Sequence, residues 1–147
     1  MGPRVAFFAD CYNDVNGVAL TSRRFTQFAR DSGRPFLLVR DGAAGRSIST
    51  GGFTEIEVAC SALHARVERD LAFDLLFPRH LARLTQAVRE FRADLIHVTS
   101  PGHIGLLGAM VAHRLGLPMA ASWHTNIHEY SGRRLDRKLR WCPPTAR

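Results

Sequence analysis

A chain of 147 residues with 46% apolar and 22% charged residues has the size and composition of one globular domain able to bury a core. No run reaches the roughly 18 to 20 apolar residues of a membrane span, and the apolar stretch at the N-terminus is too short for a signal peptide, so a cytoplasmic protein is expected. The formal charge of +7, carried almost wholly by Arg, favours phosphates, anionic lipids or nucleic acid; Cys11, Cys60 and Cys142 are too widely spaced for a zinc knuckle or a disulfide framework and are expected to be reduced thiols.

Arg4 to Ala9 is a short apolar run read as a buried strand. Val18 to Ser32 follows as a helix with Val18, Phe25, Phe28 and Ala29 on its apolar face and Gly33 at its C-terminal end. Phe36 to Val39 is a second buried strand, the Gly- and Ser-rich stretch after it a loop, and Phe53 to Ala59 an alternating strand near a sheet edge. Between Leu71 and Phe91 the apolar residues recur at helical spacing, with Pro78 starting the final helix. That helix carries Arg79, Arg83, Arg89 and Arg92 on its other face, which suits either a solvated surface or an anionic membrane surface.

Asp94 to Thr99 reads as a strand, His103 to Gly116 as a small-residue helix that can lie close on a sheet, and Leu117 to Trp123 as another strand. Strand and helix alternate, which predicts a doubly wound parallel α/β sheet with right-handed crossovers and helices on both faces.

Ligands collect at the carboxyl edge of such a sheet, where three polar loops fall: "DCYNDVNGV" after the first strand, "SPGHIG" (Ser100 to Gly105), and "HTNIHEY" (His124 to Tyr130). Each leads into a helix whose positive end points at the crevice, so the edge is expected to take an anion such as a diphosphate. A dinucleotide fingerprint needs three glycines after the first strand, and only Gly17 is there. That glycine lets a ligand approach the Gly17 and Val18 amides, while Asn16 suits either a helix N-cap or ligand contact.

His124, at a strand end, can donate to a hydroxyl or stabilise developing charge. A metal site from His103, His124 and His128 lacks the H-E-x-x-H order, and no metal is expected. No G-x-S-x-G elbow, Cys-His arrangement or P-loop is present, so covalent catalysis has no candidate.

"NGVALTSRRF", "DLIHVTSPGHIGLLG" and "MAASWHTNIHEYS" together resemble the N-terminal domain of family 4 glycosyltransferases, retaining enzymes of the GT-B fold, and within that family the group that moves mannose or a related hexose onto a lipid or polyol. The resemblance covers Arg4 to Leu139. It implies a Rossmann-like domain forming the N-terminal half of a GT-B fold, with residues 1–139 as the acceptor-side domain. It implies that Asn16, Gly17 and Val18 meet the donor's diphosphate or sugar, that His124 is the catalytic residue beside that sugar, and that Tyr12, Ser100, Thr125 and Tyr130 face the acceptor.

The co-substrate would be a nucleotide sugar, no further cofactor is expected, and the acceptor would be a lipid, polyol or glycan. A peripheral position at the inner face of an anionic membrane is compatible with lipid acceptors, and nucleic acid is not an expected partner. The family's second, nucleotide-binding domain is not in the sequence, and residues 140–147, with Pro143-Pro144, read as an aberrant or truncated tail; the expectation is a fragment inactive by itself. The alternative is a non-catalytic Rossmann-like module that holds an anion or a partner in the same crevice.

Overall fold

Val5–Ala9 (β1) and the first four residues of Phe36–Gly42 (β2) have no polar face, which only strands covered on both sides can satisfy. They lie at the centre of a six-stranded sheet. The computed structural model describes residues 2–68 and 71–122, with backbone alone for 64–68 and 71–72.

After β1 comes helix α1 (Gly17–Asp31), and after β2 a hairpin of β3 (Ser47–Thr50) and β4 (Phe53–Ala59). A second, two-stranded sheet follows, β5 (His64–Glu68) with β6 (Leu71–Asp74), then a 3-10 turn over Phe77–His80 and helix α2 (Leu81–Phe91). The described chain ends with β7 (Leu95–Val98), α3 (His103–Leu115) and β8 (Met119–Ala121). The large sheet has the order β3-β4-β2-β1-β7-β8; every pairing is parallel except β3 with β4. The fold is therefore the expected Rossmann-like doubly wound α/β sheet, with one antiparallel edge strand added.

That edge strand corrects the loop reading of the Gly- and Ser-rich stretch. All four β3 residues are exposed, so no hydrophobic pattern marks it; Gly51, at φ +60°, and Gly52 make the tight connection that lets Thr50 pair with Phe53. The helical spacing read from Leu71 is corrected too, because Leu71–Asp74 pairs antiparallel with β5 and the helical run begins only at the turn containing Pro78. Four residues are too few for period 3.6 to outvote a partner strand.

One face of the sheet, with Ala6, Phe8, Val39, Ile96 and Val98, is covered by α2 and α3 through Leu84, Val88, Ile104, Leu107 and Val111. Small residues bring α3 close: a Cβ on Gly108 would stand 2.8 Å from Phe8 Cγ and from Val98 Cγ1, tighter than side chains allow. The other face carries Phe7, Leu38, Phe36 and Phe53, the last two stacked at 6.0 Å.

Aromatic rings already fill that second face, so α1 buries small residues, Ala19, Ser22, Thr26 and Ala29, rather than the expected Phe25 and Phe28. Phe25 sits edge-on to Phe7 at the margin, and Phe28 stays exposed beneath the Arg34 guanidinium. At the end of β2, Arg40 binds Glu55 and Glu57 of β4 at 2.7 and 2.6 Å, with all three side chains largely buried. No helix among the described residues is long and apolar enough to cross a membrane.

Candidate functional site

The carboxyl ends of β1, β2 and β7 bring the β1–α1 loop, Asp41 and the Ser100–Gly102 loop to one edge, as the parallel topology requires. Directly after β1, Asp10 is 4% exposed, and Cys11 takes a left-handed φ of 56° that turns the chain sharply. Asp10 reaches across to the start of α3. Its Oδ1 accepts from the Ile104 amide at 2.9 Å, and its Oδ2 accepts from the Gly105 amide and the Ser100 hydroxyl, each at 2.9 Å. Its own amide donates to Thr99 Oγ1 at 3.2 Å.

The Ser100–Gly105 segment is moulded on this carboxylate. A Cβ on Gly102 would overlap the Asp10 carboxylate, and one on Gly105 would overlap the Ser100 carbonyl, so glycine is needed at both places for close approach. Burial raises the Asp10 pKa above its ordinary 3.8, opposed by the bonds from Ser100, Ile104 and Gly105 and by the neighbouring His103. The expectation of an anion at each helix start needs correcting at α3, because two of its leading amides already hold a carboxylate from within the chain.

The start of α1 is different. Asn16 is its N-cap: the side chain accepts from the Ala19 amide at 2.8 Å and the carbonyl from Leu20. Gly17 is exposed, with nothing within 4 Å of where a Cβ would stand, and Val18 is half-buried. The tip of α1 thus meets open space at the sheet's carboxyl edge. Asn16→Ala is expected to cost about 1 kcal/mol by removing this cap; a urea titration showing no change would mean the cap bond is not formed in solution.

Tyr12 turns toward α1. Its hydroxyl bonds Thr26 Oγ1 at 2.7 Å, its ring lies under Arg40, and its carbonyl accepts from Arg23. Ser100 is half-buried at the edge, with its proton on Asp10. Of the site residues expected from sequence, Tyr12 and Asn16 lie in the β1–α1 loop, Gly17 and Val18 open α1 and Ser100 lies in the loop after β7, while His124, Thr125 and Tyr130 lie outside the described residues.

Asp41, at the end of β2 on the other side of β1 from β7, has a buried Oδ1 with no hydrogen-bond partner. Burial raises its pKa from 3.8, with Asp14 adding to the rise against His103 and Arg40. Ionisation is therefore penalised in the folded state. Wild-type stability attributable to this group is full below about 3.8 and lost as the pH rises through the raised value. Asp41→Asn removes the titration, so its stability relative to wild type is expected to improve between pH 4 and pH 7; equal urea midpoint differences at both ends would refute this.

Neither nearby thiol is an activated nucleophile. Burial, followed by the hydrogen bond and charge of Asp14, pushes Cys11 up to about 12, and burial with Asp41 and Asp74 raises Cys60, whose sulfur lies 3.8 Å from His103 Nε2. Among the described residues no group of three or more His, Cys, Asp or Glu is placed to hold a metal ion. Of the four arginines considered for a membrane surface, Arg79 donates to the Ala59 carbonyl and pairs with Asp74, and Arg83 donates to the Gly45 carbonyl. Arg89 and Arg92 are exposed.

The model of Glycosyltransferase Family 4 matches residues 16–146, beginning at the Asn16 cap. The chain belongs to that family. This family 4 chain is 28% identical over 131 residues to a GDP-mannose-dependent alpha-mannosyltransferase of Corynebacterium glutamicum, covering 88% of the chain and 31% of the relative. It is 27% identical over 136 residues to a GDP-mannose-dependent alpha-mannosyltransferase of Mycobacterium tuberculosis, covering 86% and 33%. The family 4 chain thus spans about a third of the length of these curated relatives.

Asp10 and Asp41 were not among the residues singled out from sequence. For Asp10 a signal existed: an acid directly after a fully apolar strand, in a topology that sets a glycine-flanked helix start beside it.

Proposed function

We propose that the chain is the acceptor-side domain of a retaining hexosyltransferase, which moves mannose or a related hexose from a nucleotide sugar to a lipid, polyol or glycan hydroxyl. The observation that carries this is the family match running from the capped start of α1, where Gly17 leaves the helix tip open to an anionic donor. The mannosyltransferase relatives favour GDP-mannose as donor. An α product from this α-linked donor corresponds to retention of configuration.

The described residues offer the reaction no activated nucleophile: both thiols are held protonated, and Asp10 is buried and committed to three donors. This supports a same-face displacement in which the leaving diphosphate helps take the acceptor proton. In that scheme the protein contributes position and electrostatic stabilisation, the amides at the tip of α1 receiving negative charge that grows on the diphosphate. His124, Thr125 and Tyr130 complete the proposed site, with His124 beside the transferred sugar. A second, nucleotide-binding domain, as in the GT-B fold, would supply the remaining donor contacts, so the 147 residues alone are expected to show little turnover.

Titrating GDP-mannose into the isotopically labelled chain tests the donor assignment. The amides of Gly17 and Val18 are expected to shift together and saturably. Shifts confined to other parts of the chain, or none, would reject it.

A further inference from the structure

We infer that Asp10 is a positioning residue that divides the cleft by charge, closing the start of α3 to anions and fixing Ser100 as a hydroxyl that only accepts, so that the group received there is a neutral ligand hydroxyl. Identifying that hydroxyl as the sugar acceptor's rests on the proposed glycosyl transfer; the division by charge does not.

The chemistry follows from the count of donors and acceptors. Ile104 and Gly105 present amides that a phosphate at a helix start would use, and Asp10 occupies both at 2.9 Å. Ser100 has one hydroxyl hydrogen, which it gives to Asp10 Oδ2, leaving two lone pairs on the oxygen of a half-buried residue at the sheet's carboxyl edge. A phosphate or carboxylate arriving there would meet lone pairs, with a buried carboxylate behind them. A sugar or polyol hydroxyl can donate to Ser100 and finds no charge to oppose it.

The contrast with α1 gives the division its direction. There the cap is the neutral Asn16 side chain, spent on Ala19, and Gly17 stands open, so negative charge is tolerated at one end of the cleft and repelled at the other. The close approach depends on glycine: any side chain on Gly102 or Gly105 would collide with Asp10 or with the Ser100 carbonyl.

Two small probes on the labelled 147-residue chain test this: methyl α-D-mannoside as a neutral polyol and inorganic pyrophosphate as an anion. The mannoside is expected to shift amides between Ser100 and Gly105. Ser100→Ala should weaken its binding about fivefold, the worth of one neutral hydrogen bond, and should lower the Tm by a few degrees because Asp10 loses one of its three donors. Pyrophosphate should leave Ile104 and Gly105 unmoved in the wild type and shift them in Asp10→Ala, which vacates both amides and loses the charge.

The inference is overturned if pyrophosphate shifts Ile104 and Gly105 in the wild-type chain, if the mannoside moves nothing in this segment, or if Ser100→Ala binds the mannoside unchanged. Should Asp10→Ala not fold, the wild-type and Ser100→Ala titrations still decide the matter. If GDP-mannose leaves Gly17 and Val18 unmoved while both probes behave as stated, the glycosyl-transfer reading falls and the division by charge stands.

Discussion

Asp10→Ala is expected to destabilise the domain by about 3–5 kcal/mol, a large fraction of the roughly 5–15 kcal/mol that holds a domain together. The substitution orphans the Ile104 and Gly105 amides and the Ser100 hydroxyl, and a buried donor without an acceptor costs about 1–3 kcal/mol. It also removes a negative charge from the positive end of α3, worth about 0.3–1 kcal/mol or somewhat more when buried. Relief from burying a carboxylate offsets part of this, as the raised pKa of Asp10 shows. For a chain of this size the Tm should fall by roughly 10 °C. Thermal and urea unfolding would measure it, and a midpoint equal to wild type would show that the Asp10 bonds contribute nothing net.

A second large loss is expected on the opposite face of the sheet. Arg40→Met keeps an aliphatic stem but leaves Glu55 and Glu57, both largely buried, facing each other without their shared cation. Glu55 keeps Arg30 at 2.9 Å, but Glu57 Oε2 has no hydrogen-bond partner even in the wild type and Arg46 stands 3.7 Å away, so the loss falls mainly on Glu57. The expected cost is about 3–5 kcal/mol, the usual effect of breaking a buried ion pair by removing one partner. Adding Glu57→Gln to Arg40→Met should recover a substantial part, because it removes the charge left without a close cation. If the double variant is less stable than Arg40→Met alone, charge is not the cause.

The two substitutions also separate function from fold. Arg40 ties β2 to β4 over the Tyr12 ring, away from the start of α3, so its loss should lower stability with little effect on which probe binds where. Asp10 acts at the cleft itself, so its variants should change the response to pyrophosphate as well as the unfolding midpoint.

Most of the large sheet and its helices could be read in the chain before any coordinates. Val5–Ala9, Phe36–Val39 and Phe53–Ala59 announce themselves by unbroken or alternating apolar residues, and α3 by its glycines, because burial on a sheet leaves those periods in the sequence. Gly17, Asn16 and Ser100 could be placed at the carboxyl edge by topology alone. The edge strand Ser47–Thr50 and the hairpin strand Leu71–Asp74 could not, since a short strand owes its conformation to the partner that satisfies its backbone and need carry no pattern of its own. The face of α1 that packs inward was likewise decided by the rings already present on the sheet, which admit Ala19 and Thr26 and turn Phe28 out.

The sequence by itself determined the alternation of strand and helix, the family, and the glycine at the tip of α1. Only the tertiary structure decided the charge of the cleft. Asp10 and Ile104 are 94 residues apart, and nothing local to either shows that the acid of one loop fills the helix start of the other. Hydrogen bonding and desolvation depend on distances of a few ångström across the fold, and those exist only once β1 and β7 lie side by side.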